Sequence, residues 1–265
     1  MKMNKIVTLI DKEWAEVFKN RVVLFTVVLL PFLFTILPLV ILSTLSGVGG
    51  GGDEVVNSMP PEFTRMCDGL RGGACMQVYI IYQFMLLFML LPLAIPIAIS
   101  AYSIVGEKTT RSLEPLLATP ITTTELILGK GLAAAIPAIG ATWVGFIIFV
   151  IGARLITRDP QVAARLLDPA WLIAVLVLGP LLTAAAVSTS IIVSSRVSDP
   201  RTAEQLSMVL IVPLMGVFFG QVAGLVLINT AFMLTMVVIM LVVDAGLVYL
   251  GVRLFQRETI LTRWK

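Results

Sequence analysis

The chain has 265 residues, of which 58% are hydrophobic and only 13% charged, with a net charge of +3. Average soluble domains carry about 25% charged residues, so this composition excludes a chain solvated over its whole surface and points to the membrane. The charge is too small to argue for a nucleic-acid partner, and the lack of histidine excludes His-based catalysis, His-ligated metal sites and His pH switches.

Residues 1–21 carry Lys2, Lys5, Lys12, Lys19 and Arg21. Ile6, Leu9, Ile10, Trp14, Val17 and Phe18 recur at helical spacing, with Asp11, Lys12, Glu13, Glu16 and Lys19 elsewhere. This predicts an amphipathic helix on the membrane surface, with Trp14 at headgroup level. No small-residue cleavage pattern follows, and the next apolar run is too long for a signal peptide. That run, 22–46, is the first predicted span, with Pro31 and Pro38 as potential kinks. Residues 47–52 are glycine-rich but lack the Lys-Ser/Thr pair of a phosphate loop. The chain contains no G-x-x-x-x-G-K-S/T, so no ATP site is expected in it. The polar segment 53–77 holds the chain's two cysteines, Cys67 and Cys75. In an oxidising compartment they are placed to pair, and otherwise they are two free thiols. Two ligands without histidine do not make a metal site. Residues 78–105 form the second span, where Pro92 and Pro96 predict a bend or a broken helix.

The longest polar interruption in the middle of the chain follows, EKTTRSLEPLLATPITTTELILGK over 107–130. Ser112 is placed to cap a short helix with Pro115 in its first turn. Leu113, Leu116 and Leu117 form one apolar stripe. Pro120 forces Thr119 out of the helical region and ends that helix. Thr122 and Glu125 make a T-x-x-E capping box that starts the next one. Glu107, Leu113-Glu114, Leu116-Leu117, Thr119-Pro120, Glu125 and Gly129-Lys130, in this order between the second and third spans, resemble the cytoplasmic loop of type 2 ABC exporter permeases. Arg111-Ser112 departs from the Gly-Thr pair of many relatives. The resemblance implies that the short helix is a coupling helix that docks on a separate ATPase. Glu107, Arg111, Leu113, Glu114, Leu116, Leu117, Thr119 and Pro120 would form the contact. It also implies that the N-terminal amphipathic helix is the connecting helix with which such permeases begin. A plain solvated loop is the alternative.

The third span covers 131–153 and carries Pro137, Gly140 and Ala141. Residues 154–169 are a short polar connection that ends in an LDPAW helix start. The fourth span is 171–193, with Ser188, Thr189, Ser190, Ser194 and Ser195 at its far end, placed to bond helix carbonyls or a partner helix. A polar stretch over 194–205 leads to the last hydrophobic pair, 206–228 and 231–250. Their short separation fits either two antiparallel helices or a re-entrant hairpin followed by one span. Asp244 is the one acid well inside a span. It is either a functional intramembrane acid or a residue that pairs with Arg253 or reaches water. In the tail, Phe255, Arg257 and Glu258 resemble the sodium-extrusion-like branch of the permease family.

Six spans put both termini on one side. Fourteen basic residues fall on that side against five on the other, which predicts cytoplasmic termini in a multi-pass protein of the cell membrane. The expected fold is an all-α integral membrane protein: one permease domain over 1–265, with an N-terminal amphipathic helix over 1–21, an extracytoplasmic loop over 47–77 and a cytoplasmic coupling loop over 106–130. As the resemblance implies, the partners are an ABC ATPase that binds the ATP, a second permease chain and membrane lipid, with no cofactor in this chain. The alternatives are an ATP-independent carrier or channel, for which one intramembrane acid is few charges, and an integral-membrane enzyme, for which the acids are too dispersed.

Overall fold

A computed structural model describes residues 2–19, 21–47, 70, 72–109, 122–157 and 159–254. These are α-helical with no strand among them. In chain order the helices are α1 (Lys2–Val17), α2 (Arg21–Gly47), α3 (Gly72–Phe88), α4 (Leu91–Thr109), α5 (Thr123–Ile156), α6 (Pro160–Arg165) and α7 (Pro169–Ile173). A π-helical turn (Ala174–Leu178) follows, then α8 (Gly179–Ser194), α9 (Pro200–Ser207), a 3-10 turn (Met208–Leu210), α10 (Ile211–Val222) and α11 (Thr230–Leu254). Six helical stretches are long and apolar enough to cross a membrane: Val23–Leu45, Gly72–Ser103, Thr124–Ile156, Pro160–Ser194, Pro200–Val222 and Thr230–Gly251. The chain is an all-α integral membrane protein.

Burial ranks the spans. The second is 83% buried over its most apolar window, whereas the first, fifth and sixth are each 11% buried. The core is therefore α3, α4 and α8. Within it, residues 91–99 are all buried, and Trp171 and Phe149 close its sides. The outer spans turn apolar side chains such as Phe25, Phe32, Val242 and Tyr249 outward, which is stable only against lipid.

Prolines reshape two of the spans, while Pro31 and Pro38 lie inside an unbroken α2. The second span is broken, as Pro92 and Pro96 predict: Met89 and Leu90 form a turn through Met89 N–H to the Leu86 carbonyl and Leu90 N–H to the Leu87 carbonyl, and α4 restarts with Pro92 in its first turn, where no N–H is required. The fourth span contains a feature its sequence did not announce. Before Pro180 the helix widens into a π turn, with Gly179 N–H donating to Ala174. The wider turn accommodates a ring that would otherwise collide with the preceding turn.

Several predicted boundaries shift. The capping box forms as expected, with Glu125 N–H donating to Thr122 Oγ1 at 3.2 Å and Thr122 N–H to Glu125 Oε2 at 2.9 Å, so α5 starts at Thr123 and the apolar stretch it carries extends from Thr124, ahead of the predicted span at 131. Asp168 caps α7 through Ala170 N–H at 2.9 Å and accepts from the Tyr82 hydroxyl at 2.9 Å, with the Tyr82 ring edge-on to Trp171. The polar stretch 194–205 is partly helical. Asp199 accepts from the Thr202 amide and hydroxyl, which hold its carboxyl below the ordinary range. Pro200 then opens α9, whose Ala203 packs on Ala101 and Val105. The fifth span thus runs from Pro200 to Val222 without a re-entrant turn. It ends in a tight reversal where Gly224 takes φ 73°, a conformation that favours glycine.

Candidate functional site

The most highly organised polar site lies where the 110–121 loop is rooted. Its three elements come from distant parts of the sequence: α1, the last turns of α4 and the first turns of α5. The loop itself lies outside the described residues, so the structure fixes the two helices that enter and leave it.

Gly129 and Lys130 set the geometry. A Cβ on Gly129 would come 2.5 Å from Leu9 Cδ2, so the missing side chain lets α1 approach α5 closely. One residue on, Lys130 Nζ lies 2.8 Å from Glu13 Oε1, 2.9 Å from Ser103 Oγ and 3.4 Å from the Ser103 carbonyl. The ammonium, with three N–H donors, thus has these three acceptors within reach. Ser103 Oγ–H donates in turn to Glu13 Oε2. The side chains of Lys130 and Glu13 are only 6% and 2% exposed. Two charges this deep are tolerable only when paired and hydrogen-bonded, and here they are both.

A second contact joins the same helices. Pro137 has no N–H for the Ala133 carbonyl one turn earlier. The Trp14 indole Nε1–H donates to that carbonyl at 2.9 Å. The same device recurs deeper. Gly179 N–H goes to Ala174, Pro180 has none to give, and the Val175 carbonyl accepts from Trp143 Nε1–H at 3.2 Å.

These contacts correct the reading of the N-terminus. The apolar stripe of α1 faces protein: Leu9, Ile10 and Val17 are buried, and Trp14 bonds to α5 rather than to headgroups. Glu13, read as part of the polar face, is the buried half of an ion pair. Sequence reasoning missed Glu13 and Ser103. The one signal was a lysine followed by a continuous apolar run at the start of a span, where a charge needs a partner.

The remaining predicted residues are placed as follows. Glu107 lies in α4, with its side chain outside the described residues. Arg111, Leu113, Glu114, Leu116, Leu117, Thr119 and Pro120 lie outside them altogether, as do Cys67 and the 255–258 tail. Cys75 is buried in the first turn of α3 and is not a free thiol. Asp244 is 9% exposed, and neither carboxylate oxygen has a partner among the described residues. It makes no ion pair with Arg253, because nine residues along a helix place the two on opposite faces. At the end of α8, Ser195 donates to the Ile192 carbonyl, while the Thr189, Ser190 and Ser194 hydroxyls find no partner among the described residues. Gln83 and Gln221 are likewise buried, and neither amide atom of either has a partner among the described residues. Among the described residues no His/Cys/Asp/Glu group could hold a metal ion.

Compared with known families, the chain matches the model of the ABC-2 family transporter protein over residues 7–233. The chain belongs to the ABC-2 transporter family. It is accordingly a membrane permease of an ABC transporter. The match begins inside α1 and ends inside α11, so it includes all three elements of the ion-pair site. A search of curated proteins found no match.

Proposed function

We propose that this permease is the pathway-forming subunit of an ATP-driven exporter and that 107–130 couples it to a separate ATPase chain. The observation that carries this reading is the buried Glu13–Lys130–Ser103 cluster. It ties both helices that flank the loop to α1, so a push on the loop reaches α4, α5 and α1 together. In this reading two permease chains pair above two ATPase chains. ATP is bound and hydrolysed on the partner, and this chain holds no cofactor. Leu113, Leu116 and Leu117 are the apolar anchors of the docking helix, ringed by Glu107, Arg111 and Glu114, with Thr119-Pro120 ending it. The basic-residue bias puts the termini and this loop in the cytoplasm of a cell-membrane protein. The structure supports a common side for these parts, because α1 packs beside the start of α5, and Leu247 to Gly251 of α11 lie beside Thr124 to Leu128. The opposite side then holds Cys67 and Cys75 as a disulfide, and Asp244 is an acid used in transport.

The test is Leu113→Asp with Leu117→Asp. Burying one leucine is worth about 1.5–3 kcal/mol, so losing two lowers docking by several orders of magnitude. The double variant is expected to insert and pair normally, to lose its ATPase on co-purification and to stop ATP-dependent export. Thr123→Ala is the control and should leave both intact. Normal export with the ATPase retained would remove the coupling role of this stretch.

A further inference from the structure

An apolar slot of about 290 Å³ runs between α5, α8 and α11, beginning at the second residue of α5. Its α5 wall extends from Thr124 to Ala135, its α8 wall from Ala184 to Ile191 and its α11 wall from Leu247 to Gly251. Small residues make the space: Gly131, Ala135, Ala184 and Gly251. Among the described residues no charged side chain lines it, and the hydroxyls in its walls are those of Thr124 and Ser188. It opens outward, since Leu128, Leu132 and Val248 on its walls are 43–54% exposed. All three walls belong to stretches long and apolar enough to span the membrane, which puts the slot at membrane depth.

The dimensions decide the occupant. From Thr124 to Ala135, twelve residues and eleven helical steps, α5 rises about 16 Å. Spread over that length, the volume gives a cross-section of roughly 20 Å², whereas a helix 10–12 Å across needs roughly 80–110 Å². A transmembrane helix from a second copy or a partner does not fit. A single extended hydrocarbon chain does, and the lack of charge in the walls rejects a polar headgroup. We propose that this slot is a binding site for one acyl chain of a bilayer phospholipid, inserted between α5 and the α8–α11 pair.

Phospholipid vesicles doped with a phospholipid carrying a mid-chain diazirine provide the probe. The full-length permease is reconstituted and photolysed, and its labelled peptides are mapped by mass spectrometry. Labelling at Leu128, Leu132 and Val248 should exceed that at Phe25 and Phe32, the lipid-facing residues of α2, by several-fold. A Cβ at Gly251 meets nothing within 4 Å, and the same holds at Gly246, which is not a wall residue. Gly251→Phe should therefore fill the slot and bring its labelling down to the α2 level, while Gly246→Phe should not. Ser188→Leu is a second filling variant, and unchanged α2 labelling reports that each variant remains folded and inserted. Equal labelling of slot and α2 in the native chain would overturn the site. So would slot labelling that survives both filling variants.

Discussion

Lys130 Nζ lies 2.8 Å from Glu13 Oε1, across 117 residues of sequence. The pair is bridged by Ser103, so one buried cluster joins the N-terminal helix to both helices that carry the 110–121 loop. Removing one partner breaks a buried ion pair, which typically costs about 3–5 kcal/mol, a loss that the more exposed Lys12, 3.7 Å from Glu13 Oε1, offsets in part when Lys130 is the residue removed. Glu13→Gln and Lys130→Met should each lower the thermal midpoint of the purified permease. The double variant should recover most of that loss, because replacing both charges is often close to neutral. The proposed coupling role predicts that the double variant still exports poorly. Full export by a stable double variant would reduce the cluster to packing.

Trp14 and Pro137 form a second testable unit. Trp14→Phe keeps the ring but leaves the Ala133 carbonyl without its donor, a loss of about 1 kcal/mol. In a Pro137→Ala background the helix supplies its own N–H at position 137, and Trp14→Phe should then cost far less. A coupling energy near zero in this double-mutant cycle, read by denaturant or thermal unfolding, would refute the proline-to-tryptophan assignment.

Asp244 is buried and neither oxygen has a partner among the described residues, an arrangement that costs stability and is retained where function uses the acid. Asp244→Asn should therefore raise the thermal midpoint while lowering transport. A variant that is more stable and equally active would show that the acid has no part in export.

The proposed topology predicts that Ser58→Cys and Thr123→Cys, in a chain lacking the native cysteines, react differently with an impermeant maleimide added from outside. Only the first should label in intact cells. In the native chain, mass spectrometry without reduction should find Cys67 and Cys75 in one linked peptide pair. The loop closed is short, so the stabilisation is local, about 2 kcal/mol. Two freely alkylated thiols in membrane-extracted protein would reject the pairing.

Features governed by neighbours a few residues away were legible in the sequence. The six spans follow from apolar length. The break at Met89–Leu90 follows from Pro92 and Pro96. The start of α5 follows from Thr122 and Glu125, whose hydrogen bonds span three residues. The tertiary structure decided which faces meet. Spans this apolar have no polar side to mark the outside, so nothing local shows that the second span is central and the first peripheral. Glu13 fits a solvated polar face as well as a buried pair until Lys130 is beside it. Trp14 fits a headgroup belt until Pro137 frees a carbonyl within its reach. A hydrophobic helix records in its sequence that it must be buried, in lipid or in protein. Which of the two surrounds a given residue depends on packing between segments more than a hundred residues apart, and that packing turned scattered polar residues into one site.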